Sequence, residues 1–235
     1  MFTAKLILQI KDFLFPSACA LCDKSLLGEE EIAYGLCVEC KDTIKIEQGT
    51  QCSICGKPLI SEIDTCLPCR SSNDRSFERL WVLYPYTGKY RKLLTAYKFN
   101  KKLAIANFFV QKILNLIDNE VLLQNAIIVP VPPRPGKIKH SGWDQIDHLA
   151  KVIEKQSGKT VSRVLKRNKS KVQKELNRIE RLENLKGRIY TDETAPETAL
   201  IIDDVITTGS TMEVCAQVLK EAGAKMVYGL CLFYD

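Results

Sequence analysis

Eight of the ten cysteines in this 235-residue chain fall in four Cys-x-x-Cys pairs, Cys19/Cys22, Cys37/Cys40, Cys52/Cys55 and Cys66/Cys69, all within the first seventy residues. A Cys-x-x-Cys turn aims two sulfurs at one point, and two such turns supply the four thiolates of a closed tetrahedral site. Grouped in sequence, Cys19, Cys22, Cys37 and Cys40 hold one ion, and Cys52, Cys55, Cys66 and Cys69 hold a second. The knuckles are then 14 residues apart in the first site and 10 in the second. Both gaps fit a short hairpin. An interleaved cross-brace fits the same spacing. Without a secretory signal, metal is favoured over disulfides, and zinc over iron–sulfur or redox dithiols. Sulfur at all four positions leaves no open coordination site, so the two ions are expected to be structural and to hold together a segment with little core. Cys215 and Cys231 lie on apolar stretches and read as inert core thiols.

The N-terminal MFTAKLILQIKDFLF is apolar but interrupted by Lys5, Lys11 and Asp12, and it lacks a small-residue cleavage site. Leu6, Ile7, Ile10, Phe13 and Leu14 recur at helical spacing, predicting a short amphipathic helix packed on its own domain; membrane docking is the minor alternative. No apolar run reaches bilayer-spanning length, and a cytoplasmic location is expected.

Two domains are expected. Residues 1–72 form an N-terminal helix and double zinc ribbon. SSNDRS, residues 71–76, reads as a linker, and residues 77–235 form an α/β domain. In that second part, strand-like FERLWVLYPY, AIIVPVP, TVSRVLKR, ALIIDDV and KMVYGLCLFY alternate with helix-like stretches: KYRKLLTAYKF, the segment after Lys101, IDHLAKVIEKQSG, KVQKELNRIERLENL and TMEVCAQVLKEAG. This alternation predicts a largely parallel sheet with flanking helices.

The most informative stretch is ALIIDDVITTGSTM, residues 199–212. A buried strand ends in two acids, Asp203 and Asp204, at the sheet edge where open α/β folds bind ligands. Gly209 lets backbone N–H groups approach an anion, Thr207, Thr208, Ser210 and Thr211 add hydroxyls, and a helix N-terminus adds partial positive charge. Together they suit a phosphate monoester, and the paired carboxylates suit the neighbouring hydroxyls of a sugar. The plainer alternative is a helix cap with acids in its first turn; against it, two acids closing a buried strand are costly without a ligand or partner.

IIDDVITTGST closely resembles the phosphoribosyl pyrophosphate signature of type I phosphoribosyltransferases. With the cysteine knuckles, LFPSACALC, KYRKLLTAYKF, VPVPP and SKVQKELNRIERLENLKGRIY, nearly the whole chain resembles the ComF family, whose members are linked to DNA uptake in natural transformation. The resemblance implies the type I phosphoribosyltransferase fold behind the ribbons. It implies that Asp203 and Asp204 hold the ribose hydroxyls, and that Thr207, Thr208, Gly209, Ser210 and Thr211 hold the 5′-phosphate. Val131 and Pro132 then shape the pyrophosphate loop, Mg²⁺ rides on the ligand, and the RPGKIKHSGW stretch forms a flap in which Arg134, Lys137 and Lys139 neutralise charge. Family members carry an Arg-Gly-Phe-Asn-Gln-like stretch after the VPVP strand. Here it reads HSGWDQ: Gly142 and Gln145 match, whereas His140 and Ser141 stand where the Arg is expected.

Net charge is +6, and residues 134–188 hold sixteen Lys or Arg against six Asp or Glu. Residues 89–102 add six bases interleaved with Tyr90, Tyr97 and Phe99 and contain no acid, a pattern that suits single-stranded DNA as readily as a solvated basic face. Two functions are weighed. One is a transferase of unknown acceptor that releases pyrophosphate from phosphoribosyl pyrophosphate. The other is a non-catalytic single-stranded DNA-binding scaffold that keeps the ligand cradle as a sensor, with a DNA-translocation helicase of the uptake machinery as a candidate partner.

Overall fold

A computed structural model describes residues 17–46, 51–71, 75–168 and 187–235. The N-terminal amphipathic helix and the charged helix expected over KVQKELNRIERLENL lie outside the described residues. Packing gathers the chain into two compact units, each drawing on two stretches of sequence: Met1–Lys45 with Thr87–Gln111, and Ile46–Tyr86 with Lys112–Asp235.

In the first unit, helices α1 (Glu29–Tyr34) and α2 (Val38–Thr43) of the leading ribbon accompany α4 (Gly88–Lys98) and the opening of α5 (Ile105–Asn119). Leu36, Leu93, Leu94, Tyr97, Ile105, Phe108 and Phe109 are fully buried. Tyr34 meets Phe108 edge-on at 6.3 Å between ring centres. Polar ties complete the seam: Asn107 Nδ2 donates to the Ala33 carbonyl at 2.7 Å, and the Tyr90 hydroxyl donates to that of Lys45 at 3.0 Å. Tyr90 and Tyr97, which the sequence offers as stacking rings, are core residues here, whereas Phe99 is 67% exposed.

The second unit is built on a four-stranded, all-parallel sheet. Its strands are β1 (Arg79–Pro85), β2 (Ile127–Pro130), β5 (Thr198–Ile206) and β6 (Met226–Tyr234), in the order β1-β6-β5-β2. Hydrophobic residues on both faces of β5 explain its central place: Ala199, Leu200, Ile201 and Ile202 are all buried. Ala199 and Ile201 share a core with Met212, Cys215, Ala216 and Leu219 of α8 (Ser210–Glu221), and α7 (Gln145–Ser157) packs against β2 and β5. Asp144 caps α7 through Oδ1, which accepts from the N–H groups of Ile146 and Asp147 at 2.9 and 3.1 Å; Gly158 ends it in the left-handed region. TVSRVLKR contributes a parallel bridge, Val161 to Ile128, and then β3 (Lys166–Arg167), which pairs antiparallel with β4 (Ile189–Tyr190). Most of that stretch is therefore not regular strand.

The second ribbon, with its closing helix α3 (Leu67–Ser71), is tied to edge strand β1. The Leu80 N–H donates to the Ile54 carbonyl at 2.8 Å, and Gln51 Nε2 donates to the Val82 carbonyl at 3.3 Å. Ile54 packs against both the cysteine cluster and the main core. Gly56 sits so close to β1 that an added Cβ would lie 2.8 Å from both the Leu80 carbonyl oxygen and Val82 Cγ2, and its φ is +69°. Gly56→Ala is therefore expected to cost about 2–4 kcal/mol through left-handed backbone strain and overpacking, lowering the melting temperature by roughly 5–15 °C. Thermal denaturation checks this, and an unchanged midpoint would refute the close docking.

Candidate functional site

The cysteines group sequentially. The sulfurs of Cys19, Cys22, Cys37 and Cys40 all lie within 4.8 Å of one another, as do those of Cys52, Cys55, Cys66 and Cys69. Zinc–sulfur bonds of about 2.3 Å in a tetrahedron set sulfurs about 3.8 Å apart. The Cys22–Cys37 separation is 3.7 Å and the Cys55–Cys66 separation 3.6 Å, so both quartets fit the ion.

The two knuckles repeat each other in detail. Cys19 N–H donates to the Lys24 carbonyl and Cys52 N–H to that of Lys57, while Ala18 bridges Ser25 and Gln51 bridges Pro58. Asp23 and Gly56 occupy the same left-handed corner. Burial opposes ionisation of Cys19, but N–H groups of Cys37, Leu21 and Cys22 aimed at its sulfur outweigh it and hold the thiol down at about 7. The N–H groups of Cys55, Cys66 and Ile54 do the same for Cys52 against its burial, also to about 7. Burial pushes Cys40 and Cys55 up. A metal that prefers thiolates resolves this uneven set.

The second candidate site lies at the carboxyl ends of β5 and β2, in the second unit. Asp203 is half-buried and Asp204 is 7% exposed. Asp203 Oδ1 accepts from the Asp204 N–H at 2.8 Å, and Asp204 Oδ1 accepts from the Val205 N–H at 2.9 Å. Gly209, at φ +76°, is the N-cap of α8 and offers no side chain, while Thr208 Oγ1 accepts from the Ser210 N–H at 3.4 Å. Thr207 is exposed, Thr208 and Thr211 are half-buried, and the Thr208 and Ser210 hydroxyls lie 2.9 Å apart. Val131 and Pro132 are buried beside β5, with the Val131 N–H donating to the Ile202 carbonyl at 3.0 Å; Arg134 is exposed. The flap stretch holds a short helix, α6 (Lys137–Ser141).

Three side chains join this region without having been singled out for it from sequence. Arg75, inside the expected linker, lies 3.6 Å from Glu213 of α8, with both side chains largely buried. Its Nη1 would be 3.9 Å from a Cβ at Gly209. Arg75 Nε and Glu213 Oε2 are buried and accept or donate no hydrogen bond among the described residues, an arrangement that keeps a cation behind the loop at a desolvation cost. Arg167 is the second. Burial pushes its guanidinium down, Arg134 nearby pushes the same way, Cys215 and Asp203 pull it up, and Arg188 adds to the lowering. Gln145 is the third: its Nε2 donates to Asp204 Oδ2 at 2.6 Å. Only a matched family pattern pointed to Gln145, and nothing local pointed to Arg75.

Part of the basic excess is neutralised internally. Arg163 is forked onto Glu154 at 3.0 and 2.8 Å and reaches Asp147 at 3.3 Å; Lys166 pairs with Asp192 and Glu193. A cavity of about 470 Å³ is lined by Ile189, Tyr190, Val214, Gln217 and Val218 among others, and neither of the twin acids is in its lining. No helix among the described residues is long and apolar enough to cross a membrane.

Two four-cysteine zinc sites ahead of a parallel sheet flanked by helices define a double zinc ribbon protein with a phosphoribosyltransferase-like α/β domain. The double zinc ribbon domain family matches residues 10–70. The chain is 26% identical over 224 residues to "Competence protein ComFC" of Bacillus subtilis, covering 87% of this chain and 89% of that protein. It is 26% identical over 214 residues to "Competence protein ComFC" of Streptococcus pneumoniae, covering 89% and 84%. It is 27% identical over 223 residues to "DNA utilization protein YhgH" of Salmonella typhimurium, covering 84% and 96%. Over most of its length the chain is thus similar to these competence and DNA-utilization proteins.

Proposed function

We propose that this protein acts in DNA uptake, on the cytoplasmic side, and that its α/β unit binds phosphoribosyl pyrophosphate with Mg²⁺. The observation that carries the ligand reading is the succession of Asp203, Asp204, left-handed Gly209 and the glycine-capped start of α8, with Arg75 behind the loop. Carboxylates accept from ribose hydroxyls, and N–H groups with hydroxyls of Thr207, Thr208, Ser210 and Thr211 surround a 5′-phosphate. Val131 and Pro132 border the diphosphate, and Arg134 with Arg167 offsets its charge. Mg²⁺, arriving with the ligand, would offset diphosphate charge together with Arg134 and Arg167. With an acceptor present, this arrangement supports a transferase that works by positioning and electrostatics. Isothermal calorimetry with phosphoribosyl pyrophosphate and Mg²⁺ tests the reading: saturable one-to-one binding is expected, and none would refute it.

A DNA contact is favoured by one separate observation. Residues 87–117 contain seven Lys or Arg and no acid, and Phe99 stands exposed with the Lys98 ammonium 6.0 Å from its ring centre. A single-stranded oligonucleotide is expected to bind with affinity that falls steeply between 50 and 200 mM salt, roughly tenfold or more for a few phosphate contacts. Fluorescence anisotropy across that range checks it, and a flat response removes the phosphate contacts from the account. A helicase that translocates the strand is the natural partner of such a surface.

A further inference from the structure

Four polar or charged residues are buried among the described ones: Asp144, Gln145, Asp204 and Ser210. Three of them stand in one connected line. Gln145 Nε2 donates to Asp204 Oδ2 at 2.6 Å, and Lys137 Nζ donates both to Gln145 Oε1 and, at 2.6 Å, to Asp144 Oδ2. The direction of the amide is fixed from both ends. A carboxylate accepts and cannot donate, so the NH₂ must face Asp204; an ammonium donates and cannot accept, so the carbonyl must face Lys137. Asp144 in turn is held by the N–H groups that open α7, which anchors the line to a rigid helix. Buried polar groups satisfied in this connected way fix a single geometry.

We infer that Gln145 is a positioning residue for Asp204, locking the carboxylate in the orientation that accepts a sugar hydroxyl, with Lys137 locking Gln145. One oxygen of Asp204 is held by the Val205 N–H and the other by the amide, so the carboxylate plane is set before any ligand arrives. The line also joins the basic stretch after β2 to the twin acids, so the flap segment carrying Lys137 is tethered to the hydroxyl-binding end of the site. The inference rests on the reading of Asp204 as a hydroxyl acceptor. It predicts that losing Gln145 injures recognition of the sugar and spares recognition of the anionic groups.

The test is calorimetry on the full chain with two probes, ribose 5-phosphate and inorganic pyrophosphate with Mg²⁺. Gln145→Ala is expected to weaken ribose 5-phosphate about 10- to 100-fold, the worth of one hydrogen bond to a charged group, and to leave pyrophosphate within about twofold. Lys137→Met keeps the alkyl stem of a half-exposed residue and is expected to give a smaller loss of ribose 5-phosphate affinity, about threefold, with any loss of pyrophosphate there reporting the removed flap charge. Equal loss of both probes in both variants means a merely structural role and overturns the inference, as does unchanged ribose 5-phosphate affinity in Gln145→Ala. Wild-type protein that binds neither probe overturns the ligand reading and the inference together; wild type that binds both while the variants show no split overturns the inference alone.

Discussion

A Cys66→Ser variant is expected to carry one zinc instead of two and to lose about 10 °C or more in the melting of its α/β unit. Structural zinc sites contribute on the order of 10 kcal/mol of binding free energy to the segments they fold, and the second quartet is joined to the sheet at several points. Leu80 donates to Ile54 and Gln51 to Val82 along β1. Ile54 sits in both hydrophobic clusters. Burial and the charges of Cys55, Cys66, Cys69 and Cys52 together push the Tyr234 phenol up at the end of β6, and the next residue, Asp235, donates its N–H to the Ile206 carbonyl where the glycine-bearing loop begins. Loss of this ion should therefore raise amide exchange at Leu80 and loosen the ligand loop. The matching Cys37→Ser change removes the other ion, and its exchange signature should fall on α4 and the opening of α5, where Tyr90 and Asn107 bond to backbone of the first stretch. Metal analysis and hydrogen exchange on both variants decide it. Identical exchange patterns would mean that the two ribbons do not support different neighbours.

Why that difference is invisible in the sequence can be stated physically. The two knuckles are nearly the same object: Cys19 and Cys52 make the same backbone bonds, and Asp23 and Gly56 turn the same corner. What separates them is what each rests on, Phe108 and Tyr90 for one and Leu80 and Val82 for the other, and those partners lie far along the chain. Two closed four-sulfur sites were legible because zinc demands four sulfurs at one point and four Cys-x-x-Cys turns offer them, whereas their sequential grouping was not, since an interleaved arrangement fits the same spacing. The β5 strand and its loop were legible because hydrophobic residues, acids, glycine and hydroxyls follow one another without a gap. Tyr90 and Tyr97 misled, since an aromatic among lysines looks the same whether its ring stacks on a base or fills a core. Arg75 was hidden in a polar stretch that reads as a linker, because its role comes from Glu213, more than a hundred residues away. TVSRVLKR is split between two partners: Thr160 and Ser162 bond to Ile128 of β2, and only Lys166 and Arg167 pair with β4, so no single neighbour extends the ladder along its length.

Replacing both acids, Asp203→Asn with Asp204→Asn, is expected to abolish ligand binding and leave the fold about as stable as before. Each carboxylate accepting from a sugar hydroxyl contributes about 1.5–3 kcal/mol, so phosphoribosyl pyrophosphate affinity should fall at least ~100-fold. The stability side runs the other way. Burial pushes the Cys231 thiol well up, and Asp203 and then Asp204 push it further; Cys215 is raised by burial and by Asp203. The field of the two acids thus reaches the core, and at Cys215 Arg167 offsets part of it; the remainder is a cost of placing two carboxylates at the end of a buried strand. Asparagine at 204 keeps one carbonyl for either the Gln145 amide or the Val205 N–H and turns its NH₂ toward the other donor, a cost that opposes the gain from removing that field. A melting temperature within a few degrees of the wild-type value, with two zinc ions retained and calorimetric binding gone, is the signature of residues kept for a ligand rather than for the scaffold. A lowered melting temperature with ligand affinity intact would instead make the pair part of the scaffold, and the sugar-phosphate reading of the loop after β5 would fall with it.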